Sequence, residues 1–233
     1  MRRFLIAAAI GALMSGAAFA ADLPTKAPRV APTAIPYSWT GFYLGLEGGW
    51  AKSHQRWTAD GGVTTGNFNG DGGLFGATAG YNWQTGMFVL GLEGDISGAD
   101  IHATDTTTGG CSIAAPCHAR IDAVGTLRAR LGITTGQWLF YVTGGGAAAE
   151  IKNSQTLLSP LATASSTQGG WTAGAGIEVG LWGNWSAKAE YLRVDIGHSP
   201  FCPAAGCGVV VRSDYSRLDI VRLGLNYKLG GPY

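Results

Sequence analysis

The sequence has no run of about 20 consecutive apolar residues, which is the length that a membrane-spanning helix requires. Residues 4–14 are apolar but too few, and every later apolar stretch is interrupted by glycine or by a charged residue. These gaps exclude a protein that crosses the bilayer with helices. A membrane-spanning role would need a closed β-barrel, because only helices and closed barrels satisfy every backbone hydrogen bond inside lipid.

The sequence also lacks the marks of a nucleic-acid-binding protein and of a hydrolase. Lysine and arginine total 16 and aspartate and glutamate total 15, so no basic excess would attract phosphates. A hydrolase needs a nucleophile, a histidine base and an orienting carboxylate, but no Gly-x-Ser-x-Gly motif is present. The four histidines fall in predicted long loops: His54, His102, His118 and His198. We therefore predict no enzyme, no cofactor and no metal site, with haem or metal binding by the loops as a less favoured alternative.

The N-terminal segment predicts export from the cytoplasm. Arg2 and Arg3 precede the apolar stretch, and an Ala-x-Ala site ends at Ala20, which is typical of a cleaved signal peptide over residues 1–20. In residues 21–38 proline recurs at every fourth position from Pro24 to Pro36. Such spacing favours an extended linker, so we interpret residues 21–38 as a periplasmic leader.

Cysteine is scarce and occurs in two close pairs, Cys111 with Cys117 and Cys202 with Cys207. In an exported chain such pairs favour disulfides. A zinc site at the first pair with His118 is the weaker alternative, because the gaps do not match usual ligand spacing.

Residues 39–229 repeat one pattern of about ten alternating residues, a short turn, another such stretch and a long polar loop. The stretches lie near residues 41–50, 74–83, 88–96, 121–131, 138–145, 171–179, 185–191 and 221–229. One face of each is apolar or small, and the other carries glycine and charge. About ten residues suffice for a tilted strand to cross a bilayer. We predict that residues 39–233 form an all-β, eight-stranded antiparallel up-and-down transmembrane β-barrel, with short periplasmic turns and long extracellular loops.

Aromatic residues are sorted by strand end, as the two girdles of a membrane barrel would be. The predicted short-turn girdle comprises Trp39, Phe42, Trp83, Phe88, Trp138, Phe140, Trp182, Trp185 and Tyr227. The predicted long-loop girdle comprises Trp50, Trp171, Tyr191 and Tyr215. Three charged residues interrupt the apolar face, Arg193, Asp195 and Asp219, and we place them above the lipid.

The predicted lumen carries six acids and five bases. The acids are Glu47, Glu93, Asp95, Asp122, Glu178 and Glu190, and the bases are Arg128, Arg130, Lys188, Arg222 and Lys228. An eight-stranded barrel is only wide enough for its own side chains, and buried charges persist when paired. A salt-bridge network that closes the bore is the favoured interpretation, and a gated ion path in which these pairs exchange partners is the alternative.

A soluble barrel of the lipocalin type is a rival from another class. It would turn the apolar face inward around a ligand and the charges toward water.

Several stretches together resemble the small outer-membrane β-barrel (porin family) proteins of alphaproteobacteria, which are similar in architecture to the OmpA transmembrane domain. They are residues 39–43 (WTGFY), 80–83 (GYNW), 91–95 (GLEGD), 188–192 (KAEYL) and 224–227 (GLNY). The resemblance implies an outer-membrane location and a role in envelope integrity and at the cell surface. The expected partners are outer-membrane lipid and lipopolysaccharide, with no nucleic acid.

Two shorter features add partners to this resemblance. The last stretch resembles the C-terminal signal that the barrel-assembly machinery recognises, through Arg222, Gly224, Tyr227 and Leu229, although four residues follow it. In some relatives a mature N-terminus that begins Ala-Asp is attached to peptidoglycan, and Ala21-Asp22 matches it.

Overall fold

The computed structural model describes residues 37–59, 68–105, 117–155, 162–196, 199–202 and 211–230. No helix in these ranges is long and apolar enough to span a membrane. The predicted signal peptide, most of the leader with Ala21, and two cysteines, Cys111 and Cys207, lie outside the described residues. Cys117 and Cys202 belong to strands, but their side chains are not described. The signal peptide and both disulfides therefore stay predictions.

The described chain consists of nine β-strands. They are β1 (Gly41–Ala59), β2 (Phe68–Thr85), β3 (Phe88–Asp105), β4 (Cys117–Thr135), β5 (Trp138–Gln155), β6 (Ala162–Gly180), β7 (Trp185–Ile196), β8 (Ser199–Cys202) and β9 (Val211–Leu229). Each long strand pairs antiparallel with its neighbours, and β9 pairs with both β7 and β1. The short β8 pairs with β9 near one end of the barrel. The eight long strands thus close into the predicted antiparallel barrel.

The strands are longer than predicted. Seven of the eight have 18 or 19 residues, and β7 has 12, against the ten expected from bilayer thickness. Eighteen residues at about 3.3 Å each, tilted by about 40°, rise roughly 45 Å, whereas the apolar band of an outer-membrane barrel is about 25 Å tall. The wall therefore continues well beyond the apolar band, toward the long-loop end.

Each of the three short turns has a glycine that its backbone requires. Gly86, Gly136 and Gly183 have φ values of 60°, 60° and 58°. This left-handed region strains residues with a side chain, so glycine allows these hairpins to turn within a few residues. The turns lie at the predicted positions, after β2, β4 and β6.

The outer surface below the long loops is apolar. Phe42, Leu92 and Leu223 are 63%, 63% and 66% exposed, and most of the predicted apolar face is exposed with them. This orientation contradicts the lipocalin alternative, which needs those side chains inside. Trp39 is an error in the predicted girdle, since it is only 3% exposed. The alternation predicted over residues 121–131 puts Ile121 on the apolar outer face, but Ile121 is buried, because a register shift between Ile121 and Ala123 turns it inward.

Three groups of side chains fill the interior. The mouth cluster, at the short-turn end, comprises Trp39, Val89, Leu139 and Tyr141, with Tyr37 packed against it. The ion cluster lies above it and is described below. The aliphatic cluster, toward the long-loop end, comprises Ala51, Leu74, Ile101, Ile121, Val124, Ala147, Ala149, Ile151, Leu192, Val194, Ile196, Leu218 and Ile220.

Candidate functional site: the interior of the barrel

Nine charged side chains converge in the bore because alternate residues of each strand point inward. This ion cluster comprises Glu47, Glu93, Asp95, Glu178, Glu190, Arg128, Arg130, Lys188 and Arg222. Their side chains are at most 3% exposed. Six strands contribute, so the cluster ties opposite walls together. Five carboxylates face four bases, which brings together most of the predicted lumen charges.

Arg222 lies within ion-pair distance of four carboxylates from three strands, and the longest of these contacts joins its Nη2 to Glu93 Oε1 at 3.8 Å. Its Nη2 lies 2.6 Å from Glu190 Oε2, and its Nη1 lies 3.1 Å from Asp95 Oδ1. Nη1 also pairs with Glu47 on β1. Since Arg222 is on β9, the pair with Glu47 spans the seam where the last strand closes onto the first.

Glu93 is the corresponding centre among the acids. Its Oε1 lies 2.5 Å from Arg128 Nη2 and 3.3 Å from Lys188 Nζ. Its Oε2 accepts a 2.7 Å hydrogen bond from the Tyr43 hydroxyl and lies 3.6 Å from Arg130 Nη1. Such shared, hydrogen-bonded contacts offset the cost of removing charges from water.

Neutral side chains complete the ion cluster. Ser186 Oγ and Asn226 Nδ2 donate to Glu178 Oε1 at 2.5 and 2.8 Å, and Thr126 donates to Asp95. The Tyr141 ring lies 3.7 Å from the Arg130 guanidinium carbon, a cation–π contact. Sequence reasoning missed these partners. They could have been found from the sequence, because these neutral residues lie on the same faces of their strands as the charged residues.

Two of the inward glycines make room for this arrangement. The hydroxyls of Tyr43 and Tyr141 lie over Gly80 and Gly176, where a methyl group would collide with them. The large tyrosine rings therefore fit across a bore that eight strands leave narrow.

The prediction that Asp122 faces the lumen is wrong. It is the extra residue of a β-bulge, skipped in the pairing with both β3 and β5. Its Oδ1 lies 2.7 Å from Nε of Arg120, which is 52% exposed. Asp122 also lies six residues along β4 from Arg128, about 20 Å at the usual strand rise. The sequence pattern did not reveal the bulge, so the assumed alternation assigned Asp122 to the wrong face.

Lys228 lies inside the barrel, as predicted, but below the ion cluster. Its Nζ donates a 2.6 Å hydrogen bond to the Ser38 carbonyl and lies 5.2 Å from the centre of the Tyr37 ring. It makes no ion pair with a carboxylate in the described part of the chain. Its role is to hold the segment that precedes β1, which was predicted to be leader.

That segment fills the short-turn mouth of the barrel. The Trp39 indole Nε1 donates to Thr134 Oγ1 at 2.9 Å, and the Trp39 backbone N–H donates to Gln84 Oε1 at 2.8 Å. Tyr37 stacks edge-on against Trp39, with ring centres 4.7 Å apart. Polar partners at the mouth thus turn Trp39 inward, although its sequence position resembles that of an interfacial tryptophan.

The aliphatic cluster begins directly above the ion cluster on the same strands. On β7, Glu190 is followed two residues later by Leu192, and on β9, Arg222 is preceded by Ile220. Leu192, Val194 and Leu218 have no exposed surface. Sequence reasoning did not predict this layer, because most of the assumed strands ended below it: of the cluster, only Leu74, Ile121 and Val124 fall within the predicted stretches.

The predicted assembly-signal residues all lie on the closing strand β9. Arg222 and Gly224 point inward, while Tyr227 and Leu229 are 41% and 47% exposed on the outer face. Recognition by the assembly machinery stays a prediction. Within the described ranges, no three side chains of histidine, cysteine, aspartate or glutamate are arranged to hold a metal ion.

Comparison of the sequence with known proteins also indicates an outer-membrane β-barrel. A family model described as "Outer membrane protein beta-barrel domain" matches residues 5–228. The chain is 34% identical to the 31 kDa outer-membrane immunogenic protein of Brucella melitensis, over 96% of this chain and 98% of that protein. It is 33% identical to the 25 kDa outer-membrane immunogenic protein of Brucella abortus, over 92% of each. The outer membrane protein OprG of Pseudomonas aeruginosa, at 12% identity and a TM-score of 0.45, covers 84% of this chain and 100% of that chain.

In outer-membrane barrels the short turns face the periplasm and the long loops face the outside of the cell, which is the orientation predicted for this chain. By its sequence over nearly its whole length, the chain belongs to the outer membrane protein β-barrel domain family and resides in the outer membrane.

Proposed function

We propose that this protein is a closed outer-membrane barrel with a structural role in the envelope and at the cell surface. One observation carries the proposal: charged and aliphatic side chains occupy successive levels of the same bore. A hydrated ion would have to separate paired charges at one level. At the next level the ion would have to enter the aliphatic cluster, where it would find no polar partners.

Conductance of the purified protein in planar lipid bilayers tests this proposal. We expect the intact protein to insert without discrete conductance steps. We expect the same of Arg222→Ala, because the aliphatic cluster would still obstruct the bore after the ion cluster is weakened. Conductance steps from the intact protein, in proportion to the protein inserted, would contradict the proposal.

A narrow gated pore is the second candidate. Its support is that Arg222 and Glu93 each contact several opposite charges, so pairs can exchange without leaving a charge alone. This candidate predicts that Arg222→Ala by itself raises conductance. The two candidates therefore give opposite results for a single variant.

The remaining roles are proposals that rest on the sequence. They are export through a cleaved signal peptide, disulfides Cys111–Cys117 and Cys202–Cys207, contact with lipopolysaccharide, assembly through the β9 signal and attachment of Ala21 to peptidoglycan. We propose no catalytic activity, since the relatives are outer-membrane proteins by name and the ion cluster contains no nucleophile–histidine pair.

A further inference from the structure

An open depression of about 760 Å³ lies on the outer wall of the barrel, where β1, β2 and β3 run side by side. Gly73 on β2 is at its centre. Cross-strand pairing sets Trp50 on one side of Gly73 and Asp100 on the other. Along β2, Phe75 lies next to Gly73 on the membrane side and Asp71 on the extracellular side. Four side chains around Gly73 thus define one site.

Local backbone features keep the depression open. Gly73 has no side chain, and a β-carbon there would meet only the edge of Trp50, at 3.9 Å, and the Gly49 carbonyl, at 4.0 Å. Beside it the pairing of β3 with β4 slips between Gly98 and Ile101, which brings the bulge residue Asp122 to the edge of the depression. The site is therefore built by the fold and is not a chance gap between flexible side chains.

The depression has an apolar end and an acidic end. Trp50 and Phe75 are 54% and 66% exposed and belong to the apolar outer surface. Asp71, Asp100 and Asp122 line the other end, and no lysine or arginine is among the lining residues. On β1, Lys52 follows two residues after Trp50 on the same outward face, where the wall becomes charged. The site therefore lies where lipid headgroups meet water.

The surrounding charges leave this end negative. Arg120 pairs with both Asp100, at 3.0 Å, and Asp122, at 2.7 Å, and His102 lies 2.8 Å from Asp100. Asp71 has no ion pair in the described part of the chain, although Lys52 is its cross-strand neighbour. Three carboxylates therefore face one shared arginine and one lysine, together with the His102 ring, which lies beside Asp100 and is the cross-strand neighbour of Asp71 on β3.

We propose that this depression binds an amphiphile with an ammonium head group and a hydrocarbon chain. The head group would lie against Asp71 and over the face of Trp50, where carboxylate and cation–π attraction act together. The chain would lie along Gly73 and Phe75 toward the bilayer. An anionic head of equal size would meet the carboxylates and be disfavoured.

Fluorine NMR of protein labelled with 5-fluorotryptophan, in dodecyl maltoside micelles, gives a local test. Dodecyltrimethylammonium is the probe and dodecyl sulfate is its anionic counterpart. We expect a saturable shift of the Trp50 resonance with the ammonium probe, at a concentration at least about threefold lower than with the sulfate, as exposed charge contacts allow. Trp171, a similarly exposed outer tryptophan, should change only gradually with both probes.

Substitutions at two positions, Gly73 and Asp71, connect the shift to the depression. Gly73→Leu would fill it and should abolish the saturable shift, and Gly73→Ala, whose methyl group fits, should weaken it. Asp71→Asn should raise the half-saturating concentration at least about threefold, whereas Asp195→Asn, the same charge change on β7, should not. Equal responses of Trp50 and Trp171, equal effects of both probes, or equal effects of both aspartate variants would overturn the proposal. None of these results depends on whether the bore conducts.

Discussion

Strand β9 runs through both the membrane half and the extracellular half of the barrel. Its apolar side chains face outward in the membrane half and inward in the extracellular half. In its membrane half, Leu223 and Leu225 face outward and Arg222 faces inward. In its extracellular half, Leu218 is buried inside and Asp219 faces outward. Side chains alternate between inside and outside without interruption along β9. Only the residue types on the two faces differ between the two halves.

Strand β7 makes the same exchange at the same level. Glu190 is inside and Tyr191 outside, and beyond them Leu192 and Val194 are inside. Arg193, cross-strand from Asp219, then lies on the outer face. The surrounding solvent explains the difference: apolar side chains are stable against lipid in one half, and in the other, where water surrounds the wall, they are stable only inside. One strand thus presents apolar side chains to lipid in one half and charged side chains to water in the other, without a change of register.

The largest expected difference between the halves concerns buried and exposed arginines. Arg222→Ala would leave four carboxylates in the bore without this partner, and breaking a buried pair costs about 3–5 kcal/mol. Arg120 also has two carboxylate partners but is 52% exposed. Arg120→Ala should therefore lower the free energy of unfolding by only about 0–1 kcal/mol. Urea unfolding in lipid vesicles measures both, and similar losses would contradict the proposed distinction.

A smaller difference is expected between two leucines of β9. Leu218→Ala should cost about 2–5 kcal/mol, because it leaves a cavity in the aliphatic cluster. Leu223→Ala removes the same atoms from the outer face, where lipid chains fill the space, and should cost about 1–2 kcal/mol. The same unfolding experiment compares them. A larger loss for Leu223→Ala would mean that the extracellular interior is not a packed core.

The sequence predicted the membrane half more completely than the extracellular half. Alternation located all eight long strands and the inward positions of charges such as Glu93 and Arg128. The extracellular half was missed because bilayer thickness was taken as the strand length. The charged residues Arg193 and Asp219 on the outer face already indicated that the wall leaves the lipid at their level. Asp122 and Ile121 were misassigned because one inserted residue shifts the alternation. The inward turn of Trp39 depends on Thr134 and Gln84, which are distant in sequence.

Two arginine substitutions on the outer face of β6 test where the lipid ends. Ala175 lies in the membrane half, and Arg facing lipid at mid-depth costs about 2–4 kcal/mol. Thr167 is on the same face eight residues nearer the long-loop end and is exposed. Because water surrounds the wall there, Thr167→Arg should change the free energy of unfolding by less than about 0.5 kcal/mol. Ala175→Arg should also reduce the folded fraction that assembles into vesicles, seen as loss of the heat-modifiable band in gel electrophoresis. If both variants assembled and unfolded alike, the outer surface of β6 would be in one solvent along its whole length, and the exchange of faces would need another explanation.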